Sequence, residues 1–220
     1  MKKLILLSAI ALVFFQATNA KQPYRTGDFG SDFSLKNVNG EYVSLSQMEN
    51  TKGYILVFSC NTCPVVKKYE QRLIDLHDEF SGKGYPVVAI NSNDANLSPG
   101  DSFEEMKKVA SAKNYPFLYL YDETQDVAKE YGATNTPHVF VVSKQNSHLK
   151  IKYVGAIDNN ADDESSADKF YVKDAVNALL KGQEVEVALT KAVGCGIKWN
   201  KTGKTSSRSS GTALFRSISD

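Results

Sequence analysis

The sequence predicts an α/β fold in which a central sheet is covered by helices. Two short apolar runs, residues 54–58 and 86–90, are typical of strands that are buried on both faces of a sheet. Between them, residues 65–80 place apolar side chains at helical spacing. Further strands and helices alternate toward the C-terminus, and this alternation is typical of α/β proteins.

Each further element follows from a local pattern. Alternating polar and apolar residues flank the Asn39-Gly40 turn, which predicts a β-hairpin over residues 33–45. Asp101, with Glu104 three residues later, forms a capping-box pattern, so a helix is predicted to begin at Asp101. The remaining predicted elements are strands at residues 116–121, 137–143 and 149–157, and helices at residues 123–131 and 167–180.

The chain is predicted to divide into three parts. Residues 1–20 combine two lysines, an apolar centre and a small-residue ending at Ala20, which is typical of a cleaved signal peptide. A retained N-terminal anchor is the alternative. Residues 21–200 show no break in composition and predict one domain, large enough to bury a core without disulfide staples. Residues 201–220 are rich in Ser and Thr and are expected to form a flexible tail.

Charge and hydropathy narrow the classes of partner. The formal net charge of the whole chain is +1, so the strongly basic surface of a nucleic-acid-binding protein is not expected. After residue 20, no apolar stretch reaches the length of about 20 residues that a membrane-spanning helix needs. The predicted location is periplasmic or secreted, where disulfides persist.

The motif Cys-Asn-Thr-Cys at residues 60–63 lies where the buried strand gives way to a helix. The N-terminus of that helix would stabilise a thiolate, and the two-residue spacing lets the sulfurs form a disulfide, so the pattern predicts a redox-active pair. A structural disulfide and half of a zinc site are the alternatives. Zinc needs further ligands, and Cys195 and the three histidines form no matching cluster, so neither metal nor cofactor is expected.

Four segments carry a resemblance to a known family. They are residues 60–64 (Cys-Asn-Thr-Cys-Pro), 89–94 (Ala-Ile-Asn-Ser-Asn-Asp), 131–137 (Tyr-Gly-Ala-Thr-Asn-Thr-Pro) and 194–199 (Gly-Cys-Gly-Ile-Lys-Trp). The chain resembles the thioredoxin-fold superfamily, and within it the secreted, peroxiredoxin-like redoxins related to alkyl hydroperoxide reductase and thiol-specific antioxidant proteins. This resemblance implies a thioredoxin-like fold, with a central mixed sheet flanked by helices and an N-terminal β-hairpin extension.

The resemblance also implies roles for single residues. Cys60 would be the attacking and more exposed thiol, and Cys63 the resolving and more buried one. The Thr136–Pro137 peptide bond would be cis and lie beside the disulfide, where Thr136 presents its backbone to an extended partner chain. Cys195 is a candidate additional thiol, which could resolve a disulfide, form a mixed disulfide, or simply be a small buried residue.

Three residues depart from better-known members of the superfamily. Thioredoxin has Trp before its first cysteine and a buried acid six residues upstream of it, where this chain has Ser59 and Tyr54. Peroxiredoxins have Thr or Ser three residues before the peroxidatic cysteine, and Val57 stands at that distance from Cys60. The sequence therefore predicts neither a standard thioredoxin nor a standard peroxiredoxin.

The predicted function is that of an exported thiol–disulfide oxidoreductase, in which a Cys60–Cys63 disulfide exchanges with partner thiols. Its partners would be protein thiols or disulfides, together with an electron donor that the sequence does not identify. The alternatives are a thiol-dependent peroxidase and a non-catalytic interaction module whose disulfide is structural.

Overall fold

The structure is a computed structural model that describes residues 23–146 and 148–201, so the predicted signal peptide and nearly all of the predicted tail lie outside the described residues. The strands are β1 Phe29–Gly30, β2 Ser34–Asn37, β3 Tyr42–Ser44, β4 Gly53–Ser59, β5 Val87–Asn91, β6 Leu118–Tyr121, β7 Asn135–Thr136, β8 His138–Gln145, β9 His148–Gly155 and β10 Cys195–Gly196. The helices are α1 Pro64–Phe80, α2 Phe103–Ala112, α3 Asp126–Tyr131 and α4 Tyr171–Leu180.

Eight of these strands form one mixed sheet in the order β1-β9-β8-β4-β5-β6-β2-β3. Strands β4, β5 and β6 are parallel neighbours, and α1 and α2 lie in the connections between them. The other neighbouring strands are antiparallel. The predicted hairpin is confirmed as β2 and β3, which extend one edge of the sheet. The predicted mixed sheet flanked by helices is therefore confirmed.

The sheet separates two layers of buried side chains. Along β4, Ile55 and Val57 face the layer that contains α1, α2 and α4. Tyr54, Leu56 and Phe58 face the opposite layer, which contains α3. All five side chains are fully buried. Because side chains alternate between the two faces of a strand and both faces are covered here, the sequence of β4 is continuously apolar.

A buried ion pair joins α1 to the loop after β9. Asp158 accepts hydrogen bonds from Arg72 Nη1 and from the Tyr69 hydroxyl, each at 2.7 Å. Both members of the Asp158–Arg72 ion pair are buried. Because Tyr69 and Arg72 belong to α1, these contacts help to fix the helix whose N-terminus carries the second cysteine of the motif.

Several element boundaries and two short strands differ from the predictions. The helices predicted over residues 123–131 and 167–180 begin at Asp126 and Tyr171. The helix predicted to begin at Asp101 begins at Phe103, because Ser102 is its extended N-cap residue and Asp101 belongs to the 3₁₀ turn Pro99–Asp101. No local pattern predicted the two-residue strands β7 and β10, which pair with each other outside the main sheet. Among the described residues, no helix is long and apolar enough to cross a membrane.

Candidate active site

The two cysteines of the motif lie at the junction of β4 and α1. Cys60 directly follows β4, and Cys63 is the N-cap residue of α1. Pro64 occupies the first helical position, where its missing N–H costs no hydrogen bond. Both cysteines are free thiols, and Cys60 and Cys63 are 3% and 2% exposed. The expected difference in exposure is therefore absent, and neither residue is open to a bulky partner.

A buried carboxylate, that of Asp101, holds the loop between the two cysteines. Its Oδ1 accepts the backbone N–H groups of Asn61 (2.6 Å) and Thr62 (3.2 Å), and its Oδ2 accepts the Thr62 hydroxyl at 2.7 Å. The Tyr119 hydroxyl donates to Asn61 Oδ1 at 2.9 Å. Sequence reasoning missed this role, because the local pattern around Asp101 is equally that of a helix N-cap.

The Thr136–Pro137 peptide bond is cis, as the resemblance implied. Thr136 Oγ1 lies 3.2 Å from Cys60 Sγ, and Cys63 Sγ donates to the Thr136 carbonyl oxygen at 3.2 Å. Thr136 thus contacts both cysteines, and it is itself buried. The fold brings together in space the four residues that the sequence and the resemblance had singled out from distant parts of the chain.

The C-terminal segment, residues 194–200, covers the backbone edge of Thr136. Strand β10 pairs antiparallel with β7, so that Cys195 lies opposite Thr136. The backbone N–H of Ile197 donates to the Thr134 carbonyl oxygen at 3.0 Å. The edge at which the resemblance places a partner chain is therefore occupied by the protein's own strand β10.

The same strand pairing places Cys195 beside the dithiol. Its Sγ lies 2.7 Å from Cys63 Sγ, although the two residues are 132 positions apart in the sequence. Cys195 is partly exposed, whereas Cys60 and Cys63 are buried. Cys63 is the central sulfur of the three, because it contacts Cys195 directly and shares with Cys60 the contact with Thr136.

Hydrogen bonds between the thiols separate their pKa values. The pKa of Cys63 is lowered, first by its side-chain hydrogen bond with Cys60 and further by those with Cys195 and the backbone N–H of Val66, which together outweigh the opposing effect of burial. The pKa of Cys60 is raised by its hydrogen bond to Cys63 and by burial. Burial and the hydrogen bond to Cys63 raise the pKa of Cys195 to about 11. Hydrogen bonding and the N-terminus of α1 therefore both favour the thiolate form of Cys63 over that of Cys60.

The chemistry available to this arrangement is that of sulfur. A thiolate in contact with two thiols can exchange one disulfide for another and can pass between dithiol and disulfide with the transfer of two electrons. The described residues hold no group of three or more His, Cys, Asp or Glu side chains that could bind a metal ion.

The chain is similar in sequence or in structure to several known proteins. Residues 26–153 match the AhpC/TSA family. Thiol-disulfide oxidoreductase ResA from Oceanobacillus iheyensis is 33% identical over 161 residues, which cover 70% of this chain and 79% of that protein. Chloroplastic peroxiredoxin Q from Sedum lineare is 31% identical over 100 residues, 46% of this chain and 50% of that one. An uncharacterized conserved protein from Geobacillus kaustophilus, solved by crystallography, is 38% identical with a TM-score of 0.74, covering 80% of this chain and 93% of that chain.

These findings place the chain in a class and then in a family. A thioredoxin-like fold that carries a dithiol at the start of its first long helix belongs to a thiol-based oxidoreductase, and the chain is an oxidoreductase of that class. The family match, which spans more than half of the sequence, is narrower: the chain belongs to the AhpC/TSA family.

Proposed function

We propose that this chain is an exported thiol–disulfide oxidoreductase that exchanges a Cys60–Cys63 disulfide with the thiols of partner proteins. The observation that carries the proposal is the pair of buried thiols at the N-terminus of α1, each of whose sulfurs lies 3.2 Å from an oxygen of Thr136. Two cysteines separated by two residues at the start of a helix can be joined as a disulfide with little movement of the backbone. The name of the relative from Oceanobacillus iheyensis, thiol-disulfide oxidoreductase, supports the same reaction.

In the oxidising direction, a partner thiolate attacks one sulfur of the Cys60–Cys63 disulfide and forms a mixed disulfide with this chain. A second partner thiolate attacks the partner's sulfur, which leaves a disulfide in the partner and two thiols here. Two electrons and two protons pass from the partner to this chain. In the reducing direction the steps run backwards, and the resemblance assigns the attack to Cys60 and the resolution to Cys63.

Export is part of the proposal because residues 1–20 carry the pattern of a signal peptide. The mature chain would then act in the periplasm or outside the cell, where protein disulfides form and persist. Cell fractionation with mass measurement tests this point. We expect a soluble periplasmic or secreted chain that lacks residues 1–20, whereas an intact chain in the membrane fraction would contradict it.

Reduction of insulin by dithiothreitol, followed by the turbidity of the released chain, tests the exchange reaction. We expect the purified full chain to accelerate the reduction and the double variant Cys60→Ser/Cys63→Ser to leave it at the uncatalysed rate. Equal rates for the two proteins would overturn the proposal. A parallel assay replaces insulin with hydrogen peroxide and tests the alternative function. A thiol-dependent peroxidase would consume the peroxide rapidly and would not accelerate the reduction of insulin.

A further inference from the structure

We propose that Cys195 is a third redox thiol, and that the oxidised chain has a second form with a Cys63–Cys195 disulfide, through which the buried pair communicates with partners. The partner step rests on the function proposed above. The disulfide itself requires no partner, so the two ideas can fail separately.

The first observation is the position of the sulfur atoms. Cys195 Sγ lies 2.7 Å from Cys63 Sγ, whereas a disulfide bond is about 2.05 Å long. A shift of less than about 1 Å would therefore join them. Among the described contacts, the sulfur neighbour of Cys195 is Cys63 and not Cys60, so the second disulfide should be specific for Cys63.

The second observation is that Cys195 is held in place from the C-terminal side. The backbone N–H of Lys198 donates to Asn93 Oδ1 at 2.8 Å, and the Lys198 carbonyl accepts the Gln125 side-chain amide at 2.7 Å. Gln125 Oε1 in turn accepts the N–H of Asn200 at 2.8 Å. Asn93 and Gln125 are buried. The C-terminal segment is thus anchored to the domain on one side of Cys195.

The third observation is the close approach of the segment on the other side of Cys195. The Asn135 side-chain amide donates to the Gly194 carbonyl at 3.1 Å. A Cβ added to Gly194 would lie 2.0 Å from the Thr136 carbonyl oxygen. Only glycine lets the backbone approach the cis Thr136–Pro137 bond this closely, and this approach brings Cys195 to Cys63.

The exchange step is balanced within the chain. Starting from a Cys60–Cys63 disulfide, Cys195 Sγ attacks Cys63 Sγ, the Cys63–Cys195 bond forms and the Cys60–Cys63 bond breaks. The proton that Cys195 loses ends on Cys60, whose burial favours the neutral thiol over the charged thiolate. The chain remains oxidised by two electrons throughout, so the step consumes no external oxidant or reductant.

The second disulfide would make the oxidised pair accessible to partner proteins. Cys60 and Cys63 are buried, whereas Cys195 is partly exposed, so the second form places one disulfide sulfur within reach of a protein thiolate. Attack at Cys195 Sγ expels Cys63, and a thiol with a lowered pKa is a good leaving group. Cys195 would thus connect the buried pair to partners without opening of the strand pair β7–β10.

The chain has three cysteines, so each of the three single Cys→Ser variants retains a different pair of thiols. Together they form a matched set. After mild oxidation with diamide, alkylation and peptide mapping, we expect Cys60→Ser to contain a Cys63–Cys195 disulfide and Cys195→Ser a Cys60–Cys63 disulfide. Cys63→Ser should keep both thiols free. Adding Gly194→Ala to Cys60→Ser should reduce the yield of disulfide, and circular dichroism checks that each variant is folded.

The outcomes separate this inference from the proposed function. A folded Cys60→Ser chain that keeps two free thiols, while Cys195→Ser oxidises fully, would overturn the inference and leave the insulin result untouched. A Cys60–Cys195 disulfide in Cys63→Ser would also overturn it, since Cys63 would not be the central sulfur. As a test of the partner step, reduction of the oxidised Cys195→Ser chain by a reduced unfolded protein should be slower than wild type by about tenfold. Equal rates would contradict that step.

Discussion

Replacement of Asp101 by Asn tests how the loop between the cysteines is held. The carboxylate of Asp101 accepts five hydrogen bonds: Oδ1 accepts the N–H groups of Asn61 and Thr62, and Oδ2 accepts the Thr62 hydroxyl, the Ser98 hydroxyl (2.6 Å) and the Asn93 amide (2.9 Å). Asparagine can keep the two bonds to Oδ1. Its NH₂ group, however, stands where three donors now point.

The size of the expected loss of stability depends on which of the three donors can find a new hydrogen-bond partner. The hydroxyls of Thr62 and Ser98 can rotate to accept from the new amide, whereas the Asn93 amide is left facing another donor in a buried site. One unsatisfied buried donor costs about 1–3 kcal/mol. The remaining hydrogen bonds also become weaker, because their acceptor is no longer a charged carboxylate. We therefore expect Asp101→Asn to lower the free energy of unfolding by about 2–4 kcal/mol.

Urea unfolding of the reduced chain, followed by the fluorescence of its single tryptophan, Trp199, measures this loss. The matched control is Glu186→Gln, which removes one negative charge from an exposed residue and should change stability by less than about 0.5 kcal/mol. If Asp101→Asn unfolds within about 0.5 kcal/mol of wild type, then the Asp101 network does not hold the loop and the reasoning is refuted.

Three further predictions concern charged and titrating groups. The first ultraviolet thiolate transition of the reduced chain should lie well below the ordinary pKa of a cysteine, because hydrogen bonds lower the pKa of Cys63, and Cys63→Ser should move that transition to higher pH. Asp158→Ala should lower the free energy of unfolding, measured in urea, by about 3 kcal/mol, because the buried Arg72 loses its buried carboxylate partner and keeps only the longer ion pair to the exposed Glu164. Burial lowers the pKa of His138 from 6.5 to about 4, so between these values the unfolded chain binds more protons and stability falls as the pH falls. In His138→Asn the amide oxygen can still accept the Thr134 N–H, so the urea midpoint should fall less steeply with falling pH than in the wild type. An unchanged dependence of the midpoint on pH would contradict the assignment of this effect to His138.

Local patterns in the sequence were sufficient for the parts of the fold that local physics determines. The strand β4 and the helix α1 were predicted because burial on both faces and helical periodicity are visible within a few residues. The site residues Cys60 and Cys63 follow from the same short stretch, since they lie where that strand ends and that helix begins.

The rest of the site depends on contacts between distant parts of the chain. The pairing of β7 with β10 joins strands of two residues each, too short to show a periodic pattern. The contact between Cys63 and Cys195 depends on that pairing, so the sequence could offer Cys195 only as a candidate thiol. For Asp101, the same local pattern allows a helix cap or a long-range acceptor, and tertiary packing decides between them.

The central claim is that the dithiol is a reversible redox couple rather than a permanent clip. Its most direct test is equilibration of the full chain in dithiothreitol buffers of graded potential, followed by alkylation and a count of labels by mass. We predict three labels on the reduced chain and one on the oxidised chain, with a midpoint above about −300 mV. A chain that stays oxidised at potentials below about −300 mV would have a structural disulfide and would contradict the account.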